Sequence, residues 1–179
     1  MEAEPARPMG GTDLDAFLQE VGVTTEQLVR EVRARSVDIA GTIHDEIGRY
    51  RESVDARTRR DGDERVSRDP DEFTGEIERL LADLRTNLDI LVFAHDVTLK
   101  EITIDNVAPW DVTPYLALAA RAQRGARNAD RTDASPTPLS TARAALDIAM
   151  NRVDRYVKGI AALFGKPIVD LPAQERESQ

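Results

Sequence analysis

The side chains here best suited to acid–base or metal chemistry are two histidines, with no cysteine to assist them. His95 continues the stripe Leu84, Leu88 and Leu91, and a lone histidine entering an apolar helical face is how an axial haem ligand is presented. The plainer role is a helix-end histidine bonded to a carbonyl or water, and that role is expected here. A chelating pair needs a second ligand three or four residues away, and those positions hold Leu91, Val92, Thr98 and Leu99. His44 has Ala40, Gly41, Ile47 and Gly48 at the same steps, while Asp45 and Glu46 follow it directly and point elsewhere on a helix. A zinc site built on thiolates is excluded, and one built on histidines lacks partners. No metal and no cofactor is expected.

Carboxylate pairs are plentiful, but with 33 acidic residues they arise by chance, and Asp71/Glu72 suits N-terminal capping better than catalysis. The sequence contains no G-x-S-x-G elbow, no P-loop and no glycine-rich strand-to-helix turn. Arg121, Arg124, Arg127 and Arg131 gather at the end of one expected helix. The helix dipole favours arginine there, and contact with an anion or a protein partner is the functional alternative. The chain is therefore expected to be no enzyme.

Net charge narrows the partners. With 33 acidic against 24 basic residues the chain carries −9, which disfavours nucleic acid and anionic membrane surfaces. No apolar run approaches the roughly 20 residues of a membrane span. The acidic start, MEAEPARPMGG, has no signal-peptide core, so a cytoplasmic protein is expected. The length suits one helical domain over 12–165, with a disordered lead-in at 1–11 and a frayed tail at 166–179.

The elements that must position any site are helices. Thr137 can cap a long one, with Pro138 at its first position and Gly165 at its end. Its stripe is Leu139, Ala142, Leu146, Ala149, Met150, Val153, Val157, Ile160 and Phe164, with Asp154 and Lys158 turned mostly away. Thr24 and Gln27 form a capping box for a helix to about Arg57, or one broken near Ser36. Gly41 and Gly48 lie seven apart on it, and close packing against another helix would offset their cost of about 1 kcal/mol each. Asp69-Pro70 starts a third helix with the stripe Phe73, Ile77, Leu80, Leu81, Leu84, Leu88 and Leu91. A short helix from Thr12 carries Leu14, Phe17 and Leu18, and Thr113-Pro114 opens another toward Asn128. Residues 96–111 read as an ordered loop with at most a short helical turn. The fold class is all-α, a bundle of four main helices plus one or two short ones, with globin-like crossings as an alternative.

Two pieces carry a resemblance: IAGTIHDEIGRYRES before FTGEIERLLADLRTNLDILVF, and ARAQRGARN before TPLSTARAALDIAMNRVDRYV. Their order resembles the N-terminal helical domain of PucR-type transcriptional regulators, related to that of RsbR-type stress-signalling proteins. In that family a long helix ends in a tyrosine-containing turn, here Tyr50, and the last long helix bears a late aromatic, here Tyr156. The loop after Asn128 and the segment 96–111 depart from the family's short connections. The resemblance implies a sensory or interaction module in transcriptional or stress signalling, of a globin-like fold, dimeric and without haem. A haem- or small-molecule-binding globin-like protein using His95 is the alternative.

Surplus apolar residues point the same way. Val29 and Val37 lie beside the main stripe of the Thr24 helix, and Ile148, Ile90 and Val92 beside the others. A homodimer across the Thr24 helix, with Val29, Val37, Gly41 and Gly48 at its interface, would cover part of this surplus.

Overall fold

The computed structural model describes residues 11–59, 70–114 and 137–170. Helices form where capping chemistry and apolar period coincide. They are α1 (Gly11–Glu20), α2 (Thr25–Arg59), α3 (Pro70–Phe93) and α4 (Thr137–Leu163). The Thr24 amide donates to Gln27 Oε1 at 2.9 Å and the Gln27 amide to Thr24 Oγ1 at 3.1 Å, so the capping box opens α2 reciprocally. The fold is an all-α bundle, and among the described residues the only β-type pairing is an isolated bridge between Ile104 and Val107.

α2 is the shared wall. Its stripe of Ala40, Ile43 and Ile47 is almost fully buried, and so is the α3 stripe from Phe73 to Leu91. From α4, Leu146, Ala149, Met150, Val153, Val157 and Ile160 complete the core, joined by Tyr156 and Ala161. Both α3 and α4 run antiparallel to α2. Tyr50 stacks on Phe73 at 4.2 Å between centroids near one end. Near the other end Arg33 grips Asp96 through two bonds of 2.6 and 2.9 Å, with its guanidinium 5.5 Å from the centre of the Phe164 ring.

Three helix ends share one device. A left-handed residue at Gly22, His95 and Gly165 lets its own amide and the one after it turn back onto the last turn. For α3, the His95 amide reaches Val92 O at 3.0 Å and the Asp96 amide reaches Leu91 O at 2.9 Å. This is the Schellman arrangement, with histidine where glycine is usual.

Several expectations need correction. α2 has no break at Ser36, which is buried and donates its hydroxyl to Val32 O at 2.8 Å. Tyr50 ends no helix, because α2 runs on to Arg59. Within the chain nothing packs closely on Gly41 or Gly48: a Cβ at either would meet no atom within 4 Å. The close approach occurs at Gly159, where a Cβ would lie 2.6 Å from Ile104 Cγ2. Phe17 is exposed, leaving Leu18 to anchor α1. The helix expected from Thr113 is already running at 109, with Ala108 N 3.4 Å from Asp111 Oδ2. Residues 164–170 are not frayed, since Ile168 packs on the core and Asp170 is held by Lys158.

The segment 95–108 fills the space beside α3 and α4 with Val97 and Ile102. Thr98 and Glu101 form a second capping box, the Thr98 amide donating to Glu101 Oε2 at 2.7 Å. That bond, with one from the Thr98 hydroxyl, holds the Glu101 carboxyl below its usual range. The Tyr156 hydroxyl donates to Ile102 O at 2.8 Å, and burial pushes its pKa well above the ordinary value.

Gly159→Ala should destabilise the fold. Overpacking costs about 1–3 kcal/mol, against about 1 kcal/mol gained in helix propensity. Gly75→Ala on α3 should gain about 0.5–1 kcal/mol, as a Cβ there meets no atom within 4 Å. Urea unfolding of the two variants checks the contrast.

Tyr156→Phe should lose about 1–2 kcal/mol at pH 7 by orphaning the Ile102 carbonyl. The raised hydroxyl pKa contributes stability present in full below about pH 10 and lost above it, as the unfolded tyrosine ionises first. The gap between the native chain and Tyr156→Phe should therefore close in unfolding curves taken above about pH 10.

Candidate functional site

A cleft of about 360 Å³ opens between α2 and α4. α2 contributes His44, Ile47, Gly48, Arg51 and Glu52, and α4 contributes Asp154 and Lys158. Asp170, from the extended stretch after α4, completes the lining. The helical steps 44, 48, 51 place the α2 residues on one flank of its buried stripe. Asp154 and Lys158, four apart, form the matching flank of α4.

Asp154 organises the cleft. Its side chain is 13 % exposed, and its Oδ1 accepts from His44 Nδ1 at 2.6 Å while Oδ2 lies 3.1 Å from Lys158 Nζ. An ionised carboxylate only accepts, so Nδ1 carries the proton and Nε2 is turned the other way. There it meets Asp170 Oδ1 at 3.5 Å. Lys158 Nζ donates to both oxygens of Asp170, at 3.0 and 2.8 Å. Burial alone would lower the Lys158 pKa, but hydrogen bonds to Asp170 and Asp154 outweigh it and hold the ammonium above its ordinary value. At the rim, Arg51 Nη2 bonds Asn151 Oδ1 at 2.6 Å.

A carboxylate orienting a histidine is the support a general base uses. Here the free nitrogen faces another carboxylate, and no described residue lining the cleft carries a hydroxyl or thiol for it to activate. Among the described residues no group of His, Cys, Asp or Glu is arranged to hold a metal ion. The lysine at the centre explains why: it holds the space between the two carboxylates that a cation would need. What the arrangement can do is present a fixed ammonium, that of Lys158, to an anion.

The other sequence candidates lie apart. His95 is exposed and left-handed (φ 57°) at the end of α3, so the apolar stripe passes it and continues through Val97. The geometric premise for a haem ligand at that position fails. Arg121, Arg124, Arg127 and Arg131 lie outside the described residues. Val29 packs against the core, Val37 is half-buried, and Gly48 belongs to the cleft wall. Among the described residues no helix is long and apolar enough to cross a membrane.

Sequence reasoning missed His44 because ligand partners were sought three and four residues away on its own helix. Asp154 lies 110 residues further on. The legible signal was the Asp154/Lys158 pair flanking the apolar stripe of α4, which read as a solvated face.

Lys158→Gln should cost about 1–2 kcal/mol at pH 7, from charge-assisted bonds to partly buried carboxylates. A raised lysine pKa contributes stability in full below about pH 10.4 and loses it as the pH rises further, so the deficit should shrink above about pH 10.4. Thermal unfolding across that range checks the sign.

No protein-family model, no curated protein and no solved structure matches this chain.

Proposed function

We propose that this chain is a non-catalytic regulatory module that senses a small ligand in the α2–α4 cleft and works as a homodimer in transcriptional or stress signalling. The observation that supports it is the cleft: a fixed ammonium and imidazole with no hydroxyl or thiol among the described residues that line it. Binding groups without a reacting group suit recognition better than turnover. Kinship to the N-terminal domains of PucR-type regulators fits the helix order, a long α2, a leucine-rich α3 and a long α4 with Tyr156 late in it. A dimer contact on the outer ridge of α2 is supported by the partial exposure of Val37 and Gly41 and the open space beside Gly41. Val29 serves this contact less well than the sequence suggested, because it already packs on the core.

Native mass spectrometry of the chain as purified from cells tests the reading. A dimer carrying a small-molecule adduct is the expected result, and Gly41→Ala should shift the population toward monomer. A monomer without adduct at tens of micromolar would overturn it.

A further inference from the structure

Asp170 and the groups it touches are held very differently. Lys158 and His44 project from long packed helices, their side chains are 27 % and 17 % exposed, and Asp154 pins both. Asp170 is 65 % exposed and sits on a stretch with no helix or strand, joined to α4 through Gly165 and Pro167. The receptor is thus pre-organised and its occupant is tethered. A carboxylate with both oxygens on one ammonium is the pose a free acid would take.

We propose that the α2–α4 cleft is a binding site for a small organic acid, and that Asp170 occupies its carboxylate position in cis. This deepens the sensing reading above and rests on it for its biological meaning. The chemistry follows from the donors. Lys158 Nζ supplies the charge, and Asp154 keeps that ammonium and the His44 ring oriented with no ordering required on binding. The cleft volume of about 360 Å³ leaves room beyond the carboxylate for a few heavy atoms. Arg51 at the rim offers a second cation, so a dicarboxylate fits better than a monocarboxylate. Asp170 competes at the high effective concentration of a tethered group, at least in the millimolar range because Ile168 anchors the stretch beside it. A free acid binds by displacing it, and displacement frees Val169 and Asp170, which lie beyond the packed Ile168, from Lys158. Ligand binding would thereby be converted into release of the Asp170 carboxylate from α4.

The test uses the full chain at pH 7 and succinate as the probe, followed by the NMR signals of the His44 ring. Asp170→Asn keeps the shape and removes the competing charge. It should bind succinate at least tenfold more tightly than the native chain, and adding Lys158→Gln should abolish the gain. Acetate should bind more weakly than succinate, and sodium chloride at equal ionic strength should leave the ring signals unmoved. Thermal unfolding of each variant verifies that it is folded; if Lys158→Gln is not, Lys158→Arg, which keeps the charge, should retain binding. Equal succinate affinity in native and Asp170→Asn chains, or an equal response to chloride, would overturn the proposal. A glutamate-containing hexapeptide binding more tightly than succinate would overturn the small-acid assignment in favour of a protein partner. Failure here with an adduct still present in the purified dimer would sink the carboxylate site and spare the sensing reading. Succinate binding by a chain purified as a bare monomer would do the reverse.

Discussion

Everything described depends on α2 burying one stripe against two helices at once. A helix that met only α3 could stop or bend where Ser36 interrupts its apolar run. With α3 and α4 both laid along it, an interruption would strand two apolar faces, so the backbone stays helical for 35 residues, about 50 Å. Ser36 adapts instead, returning its hydroxyl to the carbonyl one turn back, which removes the penalty of burying it. The Arg33 clasp closes the same end. One guanidinium holds Asp96 beyond α3 and lies over Phe164 at the end of α4, tying together the ends of two elements that both pack on α2.

Helix ends decide where the chemistry can stand. At the end of α3 the chain must reverse sharply so that Val97 and Ile102 reach the core, and that reversal needs a left-handed residue. His95 fills the position and is thereby turned to solvent, although its spacing placed it on the stripe. Gly165 performs the same turn after α4 without the strain a side chain brings. It sends residues 166–170 back along the helix, which is how Asp170 arrives beside Lys158.

The fold was legible because its determinants are local. The Thr24–Gln27 box, the Asp69-Pro70 start and the α3 stripe each fix an element from fewer than a dozen neighbouring residues. Two equally local signals went unread: the Thr98–Glu101 box, masked by apparent alternation, and Ala108-Pro109, eclipsed by the Thr113-Pro114 pair that follows. The site was illegible for a different reason. His44 and Asp154 lie on different helices, and their meeting depends on the rotation of α4 about its axis. A stripe centred on Val153 and Val157 leaves Asp154 and Lys158 at its margin, and only packing decides whether that margin faces water or a neighbour. Gly159 carries the same lesson. Its spacing resembles nothing in particular, yet it is where Ile104 needs the room that Gly41 and Gly48 seemed to offer.

The energetics of Asp154 give the cleft its character. A carboxylate this buried is costly unless its oxygens are satisfied, and both are taken, one by His44 and one by Lys158. Replacing the trio with apolar residues of similar volume would close the seam between α2 and α4 as well or better, so stability alone does not explain it. What a hydrophobic seam could not do is hold an ammonium open on one side. Lys158 keeps donors pointing outward after Asp154 is satisfied, and Gly48 withholds a side chain from the same wall. A polar seam whose outward donors meet a tethered carboxylate beside an open wall has the form of a receptor occupied in cis, with Asp170 taking both of those bonds.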